Sequence, residues 1–167
     1  MSARAAVDFG AVRLLGVDID GTLTDGFLYW GGPEVGWTQR FTVRDGEALL
    51  RLARAGVQVV PISRNRTACA RARMEGLGLS CQWVGVTDKL LALEEVVASF
   101  GVPPEGIAYI GDGYEDVPIL TTVGVGCVPA DGHPEALAHA HYVTLAPGGR
   151  AAVEEVCERI LAHRAGI

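Results

Sequence analysis

Gly16-Val17-Asp18-Ile19-Asp20-Gly21-Thr22-Leu23-Thr24-Asp25-Gly26 sets two carboxylates, two residues apart, at the point where an apolar run stops. The run Leu14-Leu15-Gly16-Val17 predicts a buried strand. The glycine-containing turn after it leaves backbone N–H groups free beside the acids. Acids at i and i+2 ordinarily mark a solvated strand face. After a buried run, where unpaired charge is costly, they point instead to a metal or a phosphate.

The rest of the composition frames that reading. The chain has 167 residues, 49% hydrophobic and 20% charged, which is the profile of a soluble globular domain with a full core. A net charge of −6 leaves no basic face for nucleic acid, although local donors and a bound cation can still receive an anionic substrate. Cys69, Cys81, Cys127 and Cys157 lack C-x-x-C spacing and sit in apolar contexts, so they read as reduced thiols and not as zinc ligands or disulfides. No apolar run reaches membrane-span length and no signal-peptide core opens the chain, so a cytoplasmic location and no membrane contact are expected.

Residues 1–11 read as a loose, Ala-rich lead-in, and 27–43 as a β-hairpin around Gly31-Gly32-Pro33-Glu34. The hairpin is apolar on both sides of its tip. An isolated hairpin is marginal in water, so this one is expected to pack on something, a second subunit included. Asp45 reads as the N-cap of a helix with Leu49, Leu50, Leu52 and Ala53 on its buried stripe. Further strands are predicted at 57–62, 81–86, 106–111, 124–128 and 142–145. Helices are predicted at 67–75, from Asp88 to Ser99, and at 151–163. Trp30 and Trp37 read as hairpin packing, and His133, His139, His141 and His163 as solvated or capping residues without metal-ligand spacing.

Short apolar strands alternating with helices specify an α/β fold, a doubly wound and mostly parallel sheet covered on both faces. No repeat or linker divides it, so 1–167 reads as one domain. Ligands of such sheets gather beyond the carboxyl ends of the strands, and Asp18, Asp20, Ser63 and Asp112 each follow a predicted strand. Together they suit phosphoryl chemistry. Asp18 can attack phosphorus, Asp20 can deliver or remove a proton, and Ser63 offers a hydroxyl and an N–H to phosphate oxygens. Lys89 counters the repulsion between two anions. Asp112 and Asp116 add oxygen ligands for a hard cation.

On these residues the chain resembles the haloacid dehalogenase (HAD) superfamily. Asp18-Ile19-Asp20-Gly21-Thr22 looks like its first motif, Ser63 its second, Lys89 its third and Gly111-Asp112-Gly113-Tyr114-Glu115-Asp116 its fourth. The resemblance implies Asp18 as nucleophile, Asp20 as general acid and then base, and Gly21, Thr22, Ser63 and Lys89 around the phosphate. It implies Mg²⁺ held by Asp18, the Asp20 backbone carbonyl and Asp112, with Asp116 orienting Lys89 or a metal-bound water.

Only the hairpin lies between Asp20 and Asp45, and no cap-sized insertion follows Ser63. A phosphomutase or dehalogenase fits less well: the first needs a cap, the second no acid at Asp20. The short chain resembles the capless 3-deoxy-D-manno-octulosonate (KDO) 8-phosphate phosphatase family, with Phe41-Thr42-Val43-Arg44-Asp45-Gly46 and Ala146-Pro147-Gly148-Gly149-Arg150-Ala151-Ala152-Val153 as supporting stretches. That resemblance implies an acidic sugar phosphate substrate and a homotetramer whose hairpin and glycine-rich tail close neighbouring sites. Ser63-Arg64-Asn65-Arg66 departs from the family's Thr-Gly-Arg, and a related nonulosonate 9-phosphate is the competing substrate. A non-catalytic binding subunit is the other alternative. Arg44, Arg64, Arg66 and Arg150 are the candidate partners of the sugar carboxylate.

Overall fold

In the computed structural model, which describes residues 7–166, β1 (Leu14–Val17) is buried at all four positions. A hairpin of β2 (Tyr29–Trp30) and β3 (Trp37–Thr38) follows, then α1 (Val43–Arg54), β4 (Gln58–Pro61), α2 (Ala68–Gly76) and α3 (Lys89–Phe100). The second half runs β5 (Ile107–Ile110), α4 (Val117–Leu120), β6 (Val125–Val128), α5 (Pro134–His139), β7 (Tyr142–Val143) and α6 (Ala152–Arg164). The main sheet has the order β4-β1-β5-β6-β7 with every pairing parallel. The expected fold class is therefore present. No helix among the described residues is long and apolar enough to cross a membrane.

Alternation along β1 divides the core. Leu15 and Val17 pack on one face with Leu49 and Leu52 of α1, Met74 of α2 and Val153, Val156 and Ile160 of α6. Leu14 packs on the other with Leu93 and Val96 of α3, Ile119 of α4 and Ala136 of α5. Each such buried Leu, Ile or Val side chain favours the folded state by about 1.5–3 kcal/mol. Gly16 faces the ring of Tyr109 so closely that a Cβ would lie 2.8 Å from its Cδ2. Only glycine lets that ring cross β1 and bring its hydroxyl to the carboxyl end of the sheet.

Several expectations need correction. Residues 81–86 form a turn and not a strand, touching the sheet through one parallel bridge between Ser63 and Val84. Gly85, at φ +90°, bends the chain away, while Trp83 is buried with its indole N–H donating to Glu95 at 3.0 Å. Thr42, not Asp45, caps α1, its hydroxyl accepting from Arg44 N. Asp45 lies buried in the first turn, and Ala53 is exposed instead of facing the core. Residues 1–6 of the expected lead-in lie outside the described residues. Phe9–Ala11 is not loose: it forms a 3-10 turn capped by Asp8, with Phe9 buried at 5.5 Å, edge to face, from Tyr142. The hairpin strands are two residues each, closed at the base by a bridge between Thr24 and Phe41. Trp30 and Trp37 stack at 5.1 Å, yet both stay more than half exposed alongside Phe27 and Leu28.

Candidate active site

The site begins where β1 ends. Asp18 N donates to Ile110 O at 3.0 Å, the last backbone bond to β5. The chain then turns back on itself: Thr22, Leu23 and Thr24 N–H groups all point at the Ile19 carbonyl, at 3.3, 3.0 and 3.0 Å. Gly21, at φ +71°, sits against Asp112, and a Cβ there would fall 2.1 Å from Asp112 Oδ2. The turn thus carries the carboxyl group of Asp112 close to that of Asp18. Thr22 Oγ1 donates to Asp112 Oδ1 at a long 3.4 Å.

Lys89 opens α3, whose first turn is fixed by Asp88 accepting from Leu90 N and Leu91 N at 2.9 and 3.0 Å. Its ammonium lies 2.9 Å from Asp18 Oδ1 and 2.6 Å from Asp116 Oδ1, with all three side chains almost entirely buried. Asp116 Oδ1 also accepts from Tyr109 OH at 2.6 Å, and its Oδ2 from Gly113 N at 2.9 Å. Asp116 is thereby the fixed partner of Lys89.

Charge explains the titration of the cluster. Burial pushes Asp18 up to about 8 against the pull of Lys89, with Asp116 and Asp112 adding to the rise. Burial and Asp116 raise Asp112 to about 6. Burial alone would lower Lys89, but Asp18 and Asp116 outweigh it and hold the ammonium charged. Tyr109 is driven well up by burial and by Asp116, so its hydroxyl stays a donor. One lysine thus serves three acids.

That imbalance is the fit test for a divalent cation. Oxygens of Asp18, Asp112 and Asp116 all lie within 4.8 Å of one another, an oxygen-only donor set suited to a hard ion. With Asp116 committed to Lys89, Tyr109 and Gly113, Asp18 and Asp112 are the side chains that fit magnesium. The residues present suit the group.

Asp20 faces a different environment. Its Oδ1 accepts from Asn65 Nδ2 at 2.7 Å and from Gln39 Nε2. Asn65 Nδ2 also donates to Gln39 Oε1 at 2.8 Å. The Asn65 carbonyl oxygen accepts from Thr67 N and Thr67 Oγ1, which fixes the direction of its amide. Ser63 is buried at the end of β4, its Oγ accepting from Asn65 N at 3.1 Å. Sequence reasoning missed Gln39, Asn65 and Tyr109 as site residues. Asn65 could have been found, since it falls in the loop after a strand end. Tyr109, inside an apolar strand, gave no sign.

The four arginines do not all meet, although Arg44 and Arg150 line one cavity beside α6. Arg64 pairs with Glu115 at 2.7 Å, bridging the loops after β4 and β5. Arg66 is exposed beside Gly85. Arg150 is exposed, and its charge reaches the hydroxyl of Tyr29, which donates to Asp25 at 2.9 Å. Arg44 pairs with Glu154 at 2.6 Å. The glycine-rich segment packs on its own chain: Gly149 N donates to Thr22 O at 2.9 Å, and Gly148 lies against Gly21 and Thr24.

Residues 83–149 match the haloacid dehalogenase-like hydrolase family. The chain is 41% identical over 152 residues to the KDO 8-phosphate phosphatase KdsC of Yersinia pestis, covering 90% of this chain and 80% of that protein. The crystal structure of the Yersinia pestis phosphatase superposes with a TM-score of 0.90 at 38% identity, over 95% of this chain and 85% of that one. The Moraxella catarrhalis enzyme, solved with magnesium, phosphate and KDO, does so with a TM-score of 0.90 at 32% identity, over 95% and 91%. With 41% identity over 90% of the chain and the same parallel fold, the chain belongs to the KDO 8-phosphate phosphatase family of HAD-like hydrolases.

Proposed function

We propose that this chain is a magnesium-dependent phosphatase of an acidic keto-sugar phosphate, with KDO 8-phosphate as its substrate. The observation that carries the reading is the different company of the two acids. Asp18 is paired with a buried cation, whereas Asp20, two residues on, is held by neutral amides. A nucleophile and a proton carrier need that difference.

In the first step Asp18 forms an oxygen–phosphorus bond as the bond to the sugar oxygen breaks, and Asp20 gives its proton to that oxygen, releasing the alcohol. In the second, water attacks phosphorus, Asp20 takes the water's proton, and the bond to Asp18 breaks to release inorganic phosphate. Lys89 offsets the repulsion between Asp18 and the incoming phosphate, and Gly21, Thr22 and Ser63 line the phosphate's surroundings. Asp18, Asp112 and the Asp20 backbone carbonyl would hold a magnesium ion, which would supply positive charge to the phosphoryl oxygens. Arg44, Arg64, Arg66 and Arg150 are the candidates for the sugar carboxylate. The whole chain acts as one domain, with copies in a homotetramer closing each site through the apolar hairpin.

The test is phosphate release from KDO 8-phosphate, a nonulosonate 9-phosphate and glucose 6-phosphate, with magnesium and with EDTA. Turnover of KDO 8-phosphate that is lost on chelation and in Asp18→Asn is expected. Preference for the nonulosonate would replace the substrate, and no turnover of any would favour a binding subunit.

A further inference from the structure

Gln39 and Asn65 form an amide clamp on Asp20, and we infer that this clamp fixes which oxygen of Asp20 delivers the proton. The inference rests on the reading of Asp20 as general acid. Both amides donate to the same oxygen, Oδ1, and Oδ2 has no hydrogen bond among the described residues. A proton on Oδ1 would point against two incoming N–H groups, so the proton sits on Oδ2. From there it passes to the sugar oxygen as the phosphorus–oxygen bond breaks, leaving Asp20 a carboxylate and the sugar an alcohol.

The clamp is closed and directional. Asn65 uses one Nδ2 group for both Asp20 Oδ1 and Gln39 Oε1, and Thr67 Oγ1 lies 3.4 Å from the same Gln39 oxygen. With Oε1 accepting from Asn65 Nδ2, Gln39 presents its N–H group to Asp20. Asn65 is held the same way by Thr67, whose hydroxyl also caps α2 through Ala70 N at 3.2 Å. The two residues come from different elements. Gln39 directly follows β3 and so hangs from the foot of the hairpin, while Asn65 belongs to the loop after β4. The position of the hairpin therefore sets the aim of the acid. Both amides are nearly inaccessible to solvent, so water cannot substitute for either. Gln39 and Asn65 are positioning residues: they touch Asp20, not the reacting atoms.

Leaving-group dependence tests this. A sugar oxygen needs a proton to depart, whereas p-nitrophenolate leaves without one. Gln39→Met and Asn65→Leu should lower single-turnover alcohol release from KDO 8-phosphate by about 10–100-fold, part of the general-acid contribution. The nitrophenolate burst from p-nitrophenyl phosphate should change less than about threefold. Thermal unfolding checks that each variant is folded. Because the two amides share hydrogen bonds, the double variant should lose less than the product of the single losses. Equal losses on both substrates, or none on either, would overturn the clamp. Asp20→Ala is the control: the split there but not in the clamp variants discards the clamp alone, and no split there overturns the acid reading along with it.

Discussion

Gly148 lies so close to Gly21 that a Cβ on it would stand 1.8 Å from the Gly21 carbonyl oxygen and 2.6 Å from its carbon. The late loop is thus a wedge beneath the turn that follows Asp18. Gly148 N is itself fixed by Asp131 Oδ1 at 2.8 Å, so the wedge cannot simply slide away. Because the obstacle is backbone, Gly148→Ala must push the turn bearing Gly21 and Thr22 off Asp112. The expected result is a loss of about 1–3 kcal/mol in stability and a weakened response to magnesium, read by thermal unfolding with and without the ion. An unchanged melting temperature and magnesium shift would contradict it.

Among the described residues, Lys89 is the cation paired with both Asp18 and Asp116, and all three side chains are almost entirely buried. Lys89→Met keeps the bulk and removes the charge, leaving two buried acids uncompensated. Breaking such a pair costs about 3–5 kcal/mol. Protonation of the acids relieves the cost, so the variant should be far less stable than the parent at pH 8 and closer to it at pH 5. Chemical denaturation at the two values checks this. Phosphatase activity should be lost at both.

Acidification should loosen magnesium in two stages. Asp18 is held up to about 8 and Asp112 up to about 6, and an ion held by this pair, as proposed, would need both as carboxylates. Below 8, binding must expel a proton from Asp18; below 6 it must expel a second from Asp112. Affinity should therefore rise about tenfold per pH unit from 6 to 8, more steeply below 6, and level off above 8. Calorimetry in buffers of different ionisation enthalpy would show the released proton directly. Affinity flat from pH 6 to 9 would rule the coupling out.

Phe27, Leu28, Trp30 and Trp37 present an apolar surface that the single chain leaves in water. If copies of the chain cover it, Trp30→Ser with Trp37→Ser should lower the mass measured by light scattering from tetramer to smaller species. The fold of the sheet should persist, since neither ring enters the core. A parent already monomeric at high concentration would remove the premise.

How much of this could be read from the chain follows from where the information is local. Asp18, Asp20 and Asp112 announced themselves because a carboxylate at the end of a buried apolar run has few cheap explanations. The parallel sheet followed from continuous apolar strands. The stretch 81–86 misled for the same reason in reverse: it is apolar enough for a strand, but Gly85 at φ +90° turns it after one bridge. Partners distant in sequence stayed hidden. Nothing near Gln39 says that it will meet Asp20, and nothing near Gly148 says that it will meet Gly21. Nothing near Arg44 says that it will pair with Glu154.

Asp45 shows how such a long-range partnership can be tested by pH. It lies in α1, yet its Oδ1 accepts from Glu154 N at 2.9 Å, capping the start of α6 from outside. That helix needs an external cap, because its own N-cap residue is Ala151, held at φ +78° with no side chain to offer. Asp45 Oδ2 is buried with no hydrogen-bond partner. Burial lifts Asp45 to about 6 although the helix N–H groups pull it down, and Glu154 adds to the rise. The folded protein therefore binds this proton more tightly than the unfolded chain. By linkage, Asp45 favours the folded state most below pH 4, and the advantage drains away as pH rises toward 6. The size is on the order of 2 kcal/mol. Asp45→Asn keeps an oxygen for Glu154 N–H and removes the ionisation. Its stability relative to the parent should improve from pH 4.5 to pH 7 by that amount, measured by denaturant titration at each pH. The difference isolates Asp45 from Asp18 and Asp112, which titrate in both proteins. A constant offset between the two proteins would mean that Asp45 is ionised throughout the range, with the α6 N–H groups outweighing its burial.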